Sequence, residues 1–526
     1  MKKHLHGTEL NAKIVNGVNK LADTVASTLG PKGNTVILCD KNKKPILTKD
    51  GVSIAEFFSL EDPFEDVGAQ VIKQASSQTN IAAGDGTTTS TVLAKAIINK
   101  AQKYIAAGVN TTEVKRGMEK ALHDTKSLIK LHATPVKSLE DIANIATISA
   151  NNDKQIGTLI SLAIDKAGRD GAVSIEEARS VDTSLDVVEG FQIDSGFLST
   201  QFITDERKGT CRYTDALVLV TDHDLEDVEE LLPTLEIAAR EKRPLVVIGD
   251  DIRGNALAAL VMNAVRGNMK VCAVKAPRYG EERRNILADL AVSVGATFVT
   301  RHSGMRLHEV KRKDLGFVKT CEIARSWTTF MGGNGNPDII KSKIEALKGE
   351  VERTSDLVEA QRTQERITRL QSAVAIIRVG GLTEVDMIEK KDRVVDALEA
   401  VRAAQLEGIL AGGGASLVFF SNLLKKDLKH KDLSGDEEVG YKILIEAITE
   451  PLKTIASNCG HNPEIILSEV SSSKKFGYGY NFVTGKYTNL LSEGIIDPAK
   501  VTRCALENAV SAASTLLTTS HAVIEI

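Results

Sequence analysis

The stretch Ala82-Ala83-Gly84-Asp85-Gly86-Thr87-Thr88-Thr89-Ser90 decides how the rest of the sequence is read. It runs directly into Val92, Leu93, Ala96, Ile97 and Tyr104, apolar positions at helical spacing. Glycines let a backbone approach a ligand closely, and the first N–H groups of a helix are unpaired and partly positive, which suits a phosphate. Three consecutive threonines add hydroxyl donors. Asp85 places a carboxylate where a divalent cation bridging phosphates needs an oxygen ligand. The same composition also makes an ordinary helix cap after a tight turn, and both readings stand at this point. It is not a P-loop, since no Gly-x4-Gly-Lys-Ser/Thr occurs in the chain.

Working outward, Leu10, Ile14, Val18, Leu21 and Val25 predict a helix that stops at Leu29-Gly30-Pro31-Lys32-Gly33-Asn34. Strand-like Thr35–Cys39 and Pro45–Thr48 follow, then the turn Lys49-Asp50-Gly51. Three glycine loops within sixty residues, carrying lysines and aspartates, suggest one split phosphate and metal site. Ile156 to Ala167 reads as helix and Gly171–Ile175 as strand. From Gly190 the apolar runs Ala216–Val220, Pro244–Ile248, Lys270–Val274 and Ala296–Val299 alternate with amphipathic helices, which predicts an α/β domain with a parallel sheet. Asp338 to Leu370 reads as a charged helical hairpin carrying Ile344, Leu347, Val351, Leu357, Val358, Ile367 and Leu370. Val374–Val379 reads as a strand, about Glu384 to Glu407 as a helix ending at Ala411-Gly412-Gly413-Gly414, Cys504 to Leu517 as a helix, and Ala522–Ile526 as β. Helical ends around a central α/β block imply an outer domain built from both termini.

Composition narrows the function classes. In 526 residues, 26% are charged and 42% hydrophobic, ordinary values for a globular protein of several domains. A net charge of −4 with interspersed signs gives no polybasic footprint for nucleic acid, and 4% aromatics argues against a base-stacking surface. Six dispersed cysteines without a Cys-x-x-Cys pair disfavour zinc or a disulfide framework and fit a reducing compartment. The first residues carry no apolar signal core and no run is long enough to span a membrane, so the expected address is cytoplasmic.

Taken together, Thr28–Gly33, Thr48–Val52, Ala83–Thr89, Thr147–Asn151, Val271–Pro277, Ala411–Gly414 and Asp497-Pro498 resemble the bacterial group I chaperonins, the 60-kDa class, from Asn11 to about Ser520. The resemblance implies a multidomain α plus α/β subunit. Residues 1–131 and 407–526 would form a mainly helical equatorial ATPase domain, 132–188 and 375–406 a small α/β intermediate domain, and 189–374 a central α/β apical domain. It implies an ATP hydrolase coupled to folding, with ATP and Mg2+ as cofactors and K+ as a further candidate. The implied partners are unfolded polypeptides, a lid co-chaperonin and further copies of the chain in a double seven-membered ring, with no nucleic acid and no membrane.

Residue by residue, the resemblance implies nucleotide contacts at Thr28, Leu29, Gly30, Pro31, Lys49, Asp85, Gly86, Thr87, Thr88, Thr89, Gly413, Asn481 and Asp497, with Asp85 the metal ligand. Phe482 and Val483 stand at the adenine positions. Asp396 matches the carboxylate that orients the attacking water, reaching it as the intermediate domain closes, and Asp50 a second carboxylate near the γ-phosphate. Without the resemblance Asp396 reads as a charge on an amphipathic helix. Phe197, Phe202, Leu232, Leu235, Leu257, Val261 and Met262 match a groove for clients and lid, although apolar residues at helical spacing are usually core.

Departures from the pattern cluster at moving parts. Ser195 replaces an arginine that would pair with Glu384 of a neighbour, Gln201 an aromatic residue of the groove, and Ser372-Ala373 a Gly-Gly at the apical hinge whose other strand keeps Gly190. Lys453 and Asn462 replace an arginine–glutamate pair between rings, and Leu406 an acid. Phe482 and Val483 replace two small residues. These features suggest a divergent additional copy, and a second reading as a non-cycling holdase or scaffold. A small-molecule phosphotransferase rests on the phosphate loops alone.

Overall fold

The computed structural model describes residues 2–39, 46–167, 173–178, 180–205, 209–353, 357–371 and 373–525. The chain forms two compact units. One comprises Met1–Leu162, Glu177–Thr183 and Val379–Ile526, the other Ala163–Glu176 and Ser184–Arg378. Both chain ends therefore build one unit and the middle of the chain the other. Most of the expected intermediate segments, 132–162 and 379–406, cluster with the ends.

The first unit is a helical core. Helices Gly7–Ala26, Pro63–Ala83, Thr87–Ala106, Thr111–His132, Gly435–Ala447 and Ala499–Leu517 contribute to it. Leu10, Ile14, Val18, Leu21 and Val25, the stripe read from the sequence, are all buried against Ile72, Leu93, Ile97, Met118, Leu444, Leu506 and Val510. Local chemistry sets the boundaries. Asp62 caps Pro63–Ala83 by accepting from Phe64 N–H (2.9 Å), with proline at the first helical position. The final helix starts at Ala499, five residues earlier than its apolar pattern suggests. Strand Lys2–His6 pairs antiparallel with His521–Glu525, joining the two ends of the chain.

The second unit is organised on a sheet in the order Val271–Lys275, Leu245–Gly249, Cys211–Val220, Gly316–Ile323, Thr328–Gly333, Ser184–Ile193, Ala373–Val379, Val173–Glu177. The expectation of a parallel sheet needs correction. The first three strands run parallel, while the pairings from Cys211–Val220 across to Ala373–Val379 are antiparallel. The hairpin joining Gly316–Ile323 to Thr328–Gly333 turns through Ala324–Trp327, closed by Ala324 N–H to Trp327 C=O (2.8 Å). Its turn carries no Gly or Asn, so the sequence gives no hairpin signal. Ala296–Val299 is not a strand: it makes only an isolated bridge, Val299 to Thr221, while Thr297 N–H turns to Asp314 C=O.

The expected helical hairpin is present as Pro337–Arg353 and Leu357–Gln371, closed by Ile344, Leu347 and Ile367. The side chains of Leu357, Val358 and Ala373, and all of Gly171, Ala172 and Ser372, lie outside the described residues. Gly190 sits within a strand, and its glycine answers to space: a Cβ there would lie 2.2 Å from Val374 Cγ2.

An ion-paired centre ties this hairpin to helix Gly280–Val294. Asp289, 1% exposed, accepts from Arg366 Nε (2.8 Å) and Nη2 (3.0 Å) and pairs with Lys343 Nζ (2.9 Å). Removing Arg366 takes two charge-assisted hydrogen bonds from a buried carboxylate but leaves Lys343 beside it. Arg366→Ala should therefore cost about 1.5–3 kcal/mol in urea unfolding, with hydrogen exchange rising first in helix Leu357–Gln371. A loss near zero would place the hairpin's stability in its apolar contacts instead.

Candidate functional site

The cavity of the first unit encloses about 500 Å³, within the range of small-molecule sites. Its floor is the start of helix Thr87–Ala106. The preceding helix ends at Gly84 (φ +72°), and Gly86 (φ +89°) is the residue before the first turn of the next, with no side chain capping it. Neither glycine tolerates a Cβ: one at Gly84 would lie 2.3 Å from Glu399 Cβ, and one at Gly86 2.6 Å from Val501 Cγ1. The turn is thus wedged between helices Glu384–Glu407 and Ala499–Leu517, and the uncapped N–H end of the helix opens on the cavity.

Segments distant in sequence complete the wall, 144–154 and 389–396 among them. Thr28-Leu29-Gly30-Pro31 follows the first helix. Lys49-Asp50-Gly51 lies against the threonines, since a Cβ on Gly51 would be 2.6 Å from Thr88 Oγ1. Asp50 caps helix Gly51–Phe57, accepting from Val52 N–H (3.0 Å) and Ser53 N–H (2.8 Å). Strand Ile409–Ala411 pairs with Ile496–Pro498, setting Leu410 opposite Asp497 beside the Gly412–Gly414 loop. Gly413 has φ +61° with nothing closer to its Cβ direction than Leu490 at 3.9 Å, an open approach for a ligand. Hairpin Tyr478–Asn481 and Lys486–Asn489 supplies the apolar end.

All the sequence-named nucleotide positions, together with Asp50 and Asp396, line this one cavity. Their environments differ from the sequence reading in three places. Asn481 is buried and its Oδ1 accepts from Val483 N–H (3.0 Å) and Thr484 N–H (3.1 Å), so it shapes the turn. Phe482 is 6% exposed and packs edge-on against Tyr480 at 5.0 Å, whereas Val483 is 66% exposed. Asp396 already lines the cavity here. Sequence reasoning left three groups without a role. Ser149 donates to Asp85 Oδ2 (3.0 Å), Arg393 holds Asp153 (3.2 Å) and Glu389 (2.8 Å), and Tyr480 walls the apolar end. A signal existed for Arg393, which lies three residues before Asp396 on one helix.

Electrostatically the cavity is crowded with acids. Burial pushes Asp85 up, reinforced by Asp50 and opposed by bonds from Gly86 N–H and Ser149. Asp396 is pushed well above the ordinary carboxylate range by burial, then by Asp50, Asp85, Asp392 and Glu399. Asp497 rises to about 7 through burial and the nearby Asp85. Lys49, Lys154 and Arg393 also line the wall. Among the described residues no three His, Cys, Asp or Glu side chains are arranged to hold a metal by themselves. That donor set fits a hard cation shared between one or two carboxylates and phosphate oxygens, the usual arrangement for Mg2+.

In the second unit the groove residues separate by depth. Leu232 (45% exposed) and Met262 (46%) face outward, Phe197, Leu257 and Val261 are half-buried, and Phe202 and Leu235 belong to the core. Val265, not singled out from the sequence, continues the exposed face of helix Gly254–Val265. Gln201 is exposed, with its N–H donating to Ser199 Oγ.

Residues 21–526 match the TCP-1/cpn60 chaperonin family, and the chain belongs to that family. Its fold is similar to a crystal structure of the chaperonin gp146 from the bacteriophage EL 2 (Pseudomonas aeruginosa), determined in the presence of ATP-BeFx. The TM-score is 0.69 at 21% identity, over 99% of each chain. No helix among the described residues is long and apolar enough to cross a membrane.

The raised acid at Asp497 has a consequence for stability. Its folded value of about 7 exceeds the unfolded value of about 3.9, so between these limits the native state binds more protons than the unfolded one. Its contribution is complete below about pH 4 and is lost as pH rises through 7. Ligand-free protein should melt at lower temperature near pH 8 than near pH 5, and Asp497→Asn should flatten that slope in calorimetry. An unchanged slope in the variant would exclude Asp497 as its source.

Proposed function

We propose that this chain is an ATP-hydrolysing chaperonin subunit that binds unfolded polypeptides. The observation that carries the reading is convergence: segments spread from Thr28 to Asp497 meet at the uncapped start of helix Thr87–Ala106, bringing Asp50, Asp85, Asp396 and Asp497 to one cavity. Here the helix N–H groups and the hydroxyls of Thr87, Thr88 and Thr89 receive phosphate oxygens. Asp85 is the ligand for Mg2+, with Ser149 fixing its second oxygen. Mg2+, when bound, supplies positive charge that neutralises phosphate and carboxylate together. Tyr480, Phe482 and Ile455 form the apolar end that receives the base.

Asp50 and Asp396 orient a water for in-line attack on the terminal phosphoryl group, a reaction that needs positioning and charge neutralisation without a covalent enzyme intermediate. Asp50 is held by its helix cap. Asp396 is held on helix Glu384–Glu407, which Arg393 ties to the loop at Asp153. Movement of that helix would couple hydrolysis to conformational change.

Leu232, Leu257, Val261, Met262 and Val265 form the client face, where a flexible methionine suits varied apolar segments. The proposal extends to a ring of identical subunits, a lid co-chaperonin, the division into equatorial, intermediate and apical domains, K+ as an additional ion, and a cytoplasmic address. Gln201, Ser195 and Ser372-Ala373 support the rival reading, a holdase that binds clients without cycling.

Hydrolysis by Asp396→Ala separates the two. For a cycling ATPase, kcat should fall by roughly a hundredfold or more, as for loss of a group that positions or accepts a proton, with nucleotide affinity retained. Negligible turnover in the parent protein, unchanged by the substitution, would leave the holdase.

A further inference from the structure

We infer that the paired chain ends form a binding site for a transition-metal ion of the zinc, nickel and copper class, held by His4, His6 and His521. The register of Lys2–His6 against His521–Glu525 sets His6 directly opposite His521, and His4 opposite Val523. Side chains alternate across a strand, so His4, His6 and His521 share one face. The opposite face carries Leu5, Ala522 and Ile524, which pack on the helical core and fix which side turns outward. All three histidines are exposed.

The three rings form a compact triangle. Their centroids are 5.5 Å apart for His4 and His6, 5.4 Å for His4 and His521, and 5.5 Å for His6 and His521. His4 Nε2 lies 3.3 Å from His521 Nδ1. Two nitrogens each about 2.0–2.1 Å from a tetrahedral ion are themselves about 3.3 Å apart, so this pair, hydrogen-bonded in the ion-free protein, has the separation for a shared ion once the bridging proton is displaced. Among the described residues no three donors yet converge on a point. Completing the set requires His6 to turn about its side-chain torsions, which an exposed residue does freely.

Imidazole donors select zinc, nickel or copper over magnesium, so the site is chemically separate from the acidic cavity. An ion held there bridges the first and last strands of the chain. Because the unfolded chain has no such pairing, occupancy stabilises the folded termini.

The test is Zn2+ titration of untagged full-length protein by calorimetry, without nucleotide or magnesium, beside His4→Ala and His521→Ala. Each substitution lies on the outward face, and melting without zinc reports whether the fold is kept. The expected result is one saturable ion per chain, with affinity at least tenfold weaker in either variant and a zinc-dependent rise in melting temperature that both variants lose. No saturable binding, or equal binding in parent and variants, would overturn the assignment.

Discussion

The crowding of carboxyl groups around one helix start is the constraint on which the site depends. Asp85, Asp396 and Asp497 are each driven toward their neutral forms, chiefly because water is displaced around them and partly by neighbouring carboxylates, Asp50 for Asp85 and Asp396, and Asp85 for Asp396 and Asp497. Such an arrangement is unfavourable in the apo protein and becomes favourable once positive charge arrives. The uncapped N–H end of Thr87–Ala106 attracts anions, while the acids require a cation. A phosphate–cation pair satisfies both at once. Neither component does so alone.

Holding that arrangement falls to contacts between residues distant in sequence. Asp497 is fixed by a strand pair with Ile409–Ala411, Asp85 by Ser149, and the helix carrying Asp396 by Arg393 and by its close approach to Gly84. The same unit is closed by its terminal strands. A split construction of this kind makes the site sensitive to movement of any one wall, a physical basis for linking chemistry to shape.

Much of this was legible in the sequence because the relevant signals are local. Gly84 and Gly86 mark the turn, and the Leu10–Val25 stripe marks a core helix. Where pairing is nonlocal the sequence was silent. Strands Gly316–Ile323 and Thr328–Gly333 lack a turn signature, so the antiparallel part of the sheet was not anticipated. Cys211, Cys272 and Cys321, scattered along the chain, meet in one buried core. The depth of Phe202, Leu235 and Phe482 likewise depends on neighbours that no periodicity reveals. The His4, His6 and His521 triangle arises the same way, from strand register across the whole chain length.

The most direct test of the central claim is nucleotide affinity measured with Mg2+ present and with Mg2+ chelated. If recessed acids make the cavity receptive only to phosphate and cation together, ATP should bind at least tenfold more weakly once the metal is removed. Asp85→Asn should bind nucleotide with little dependence on Mg2+. Equal affinity of the parent protein for ATP with and without Mg2+ would contradict the account.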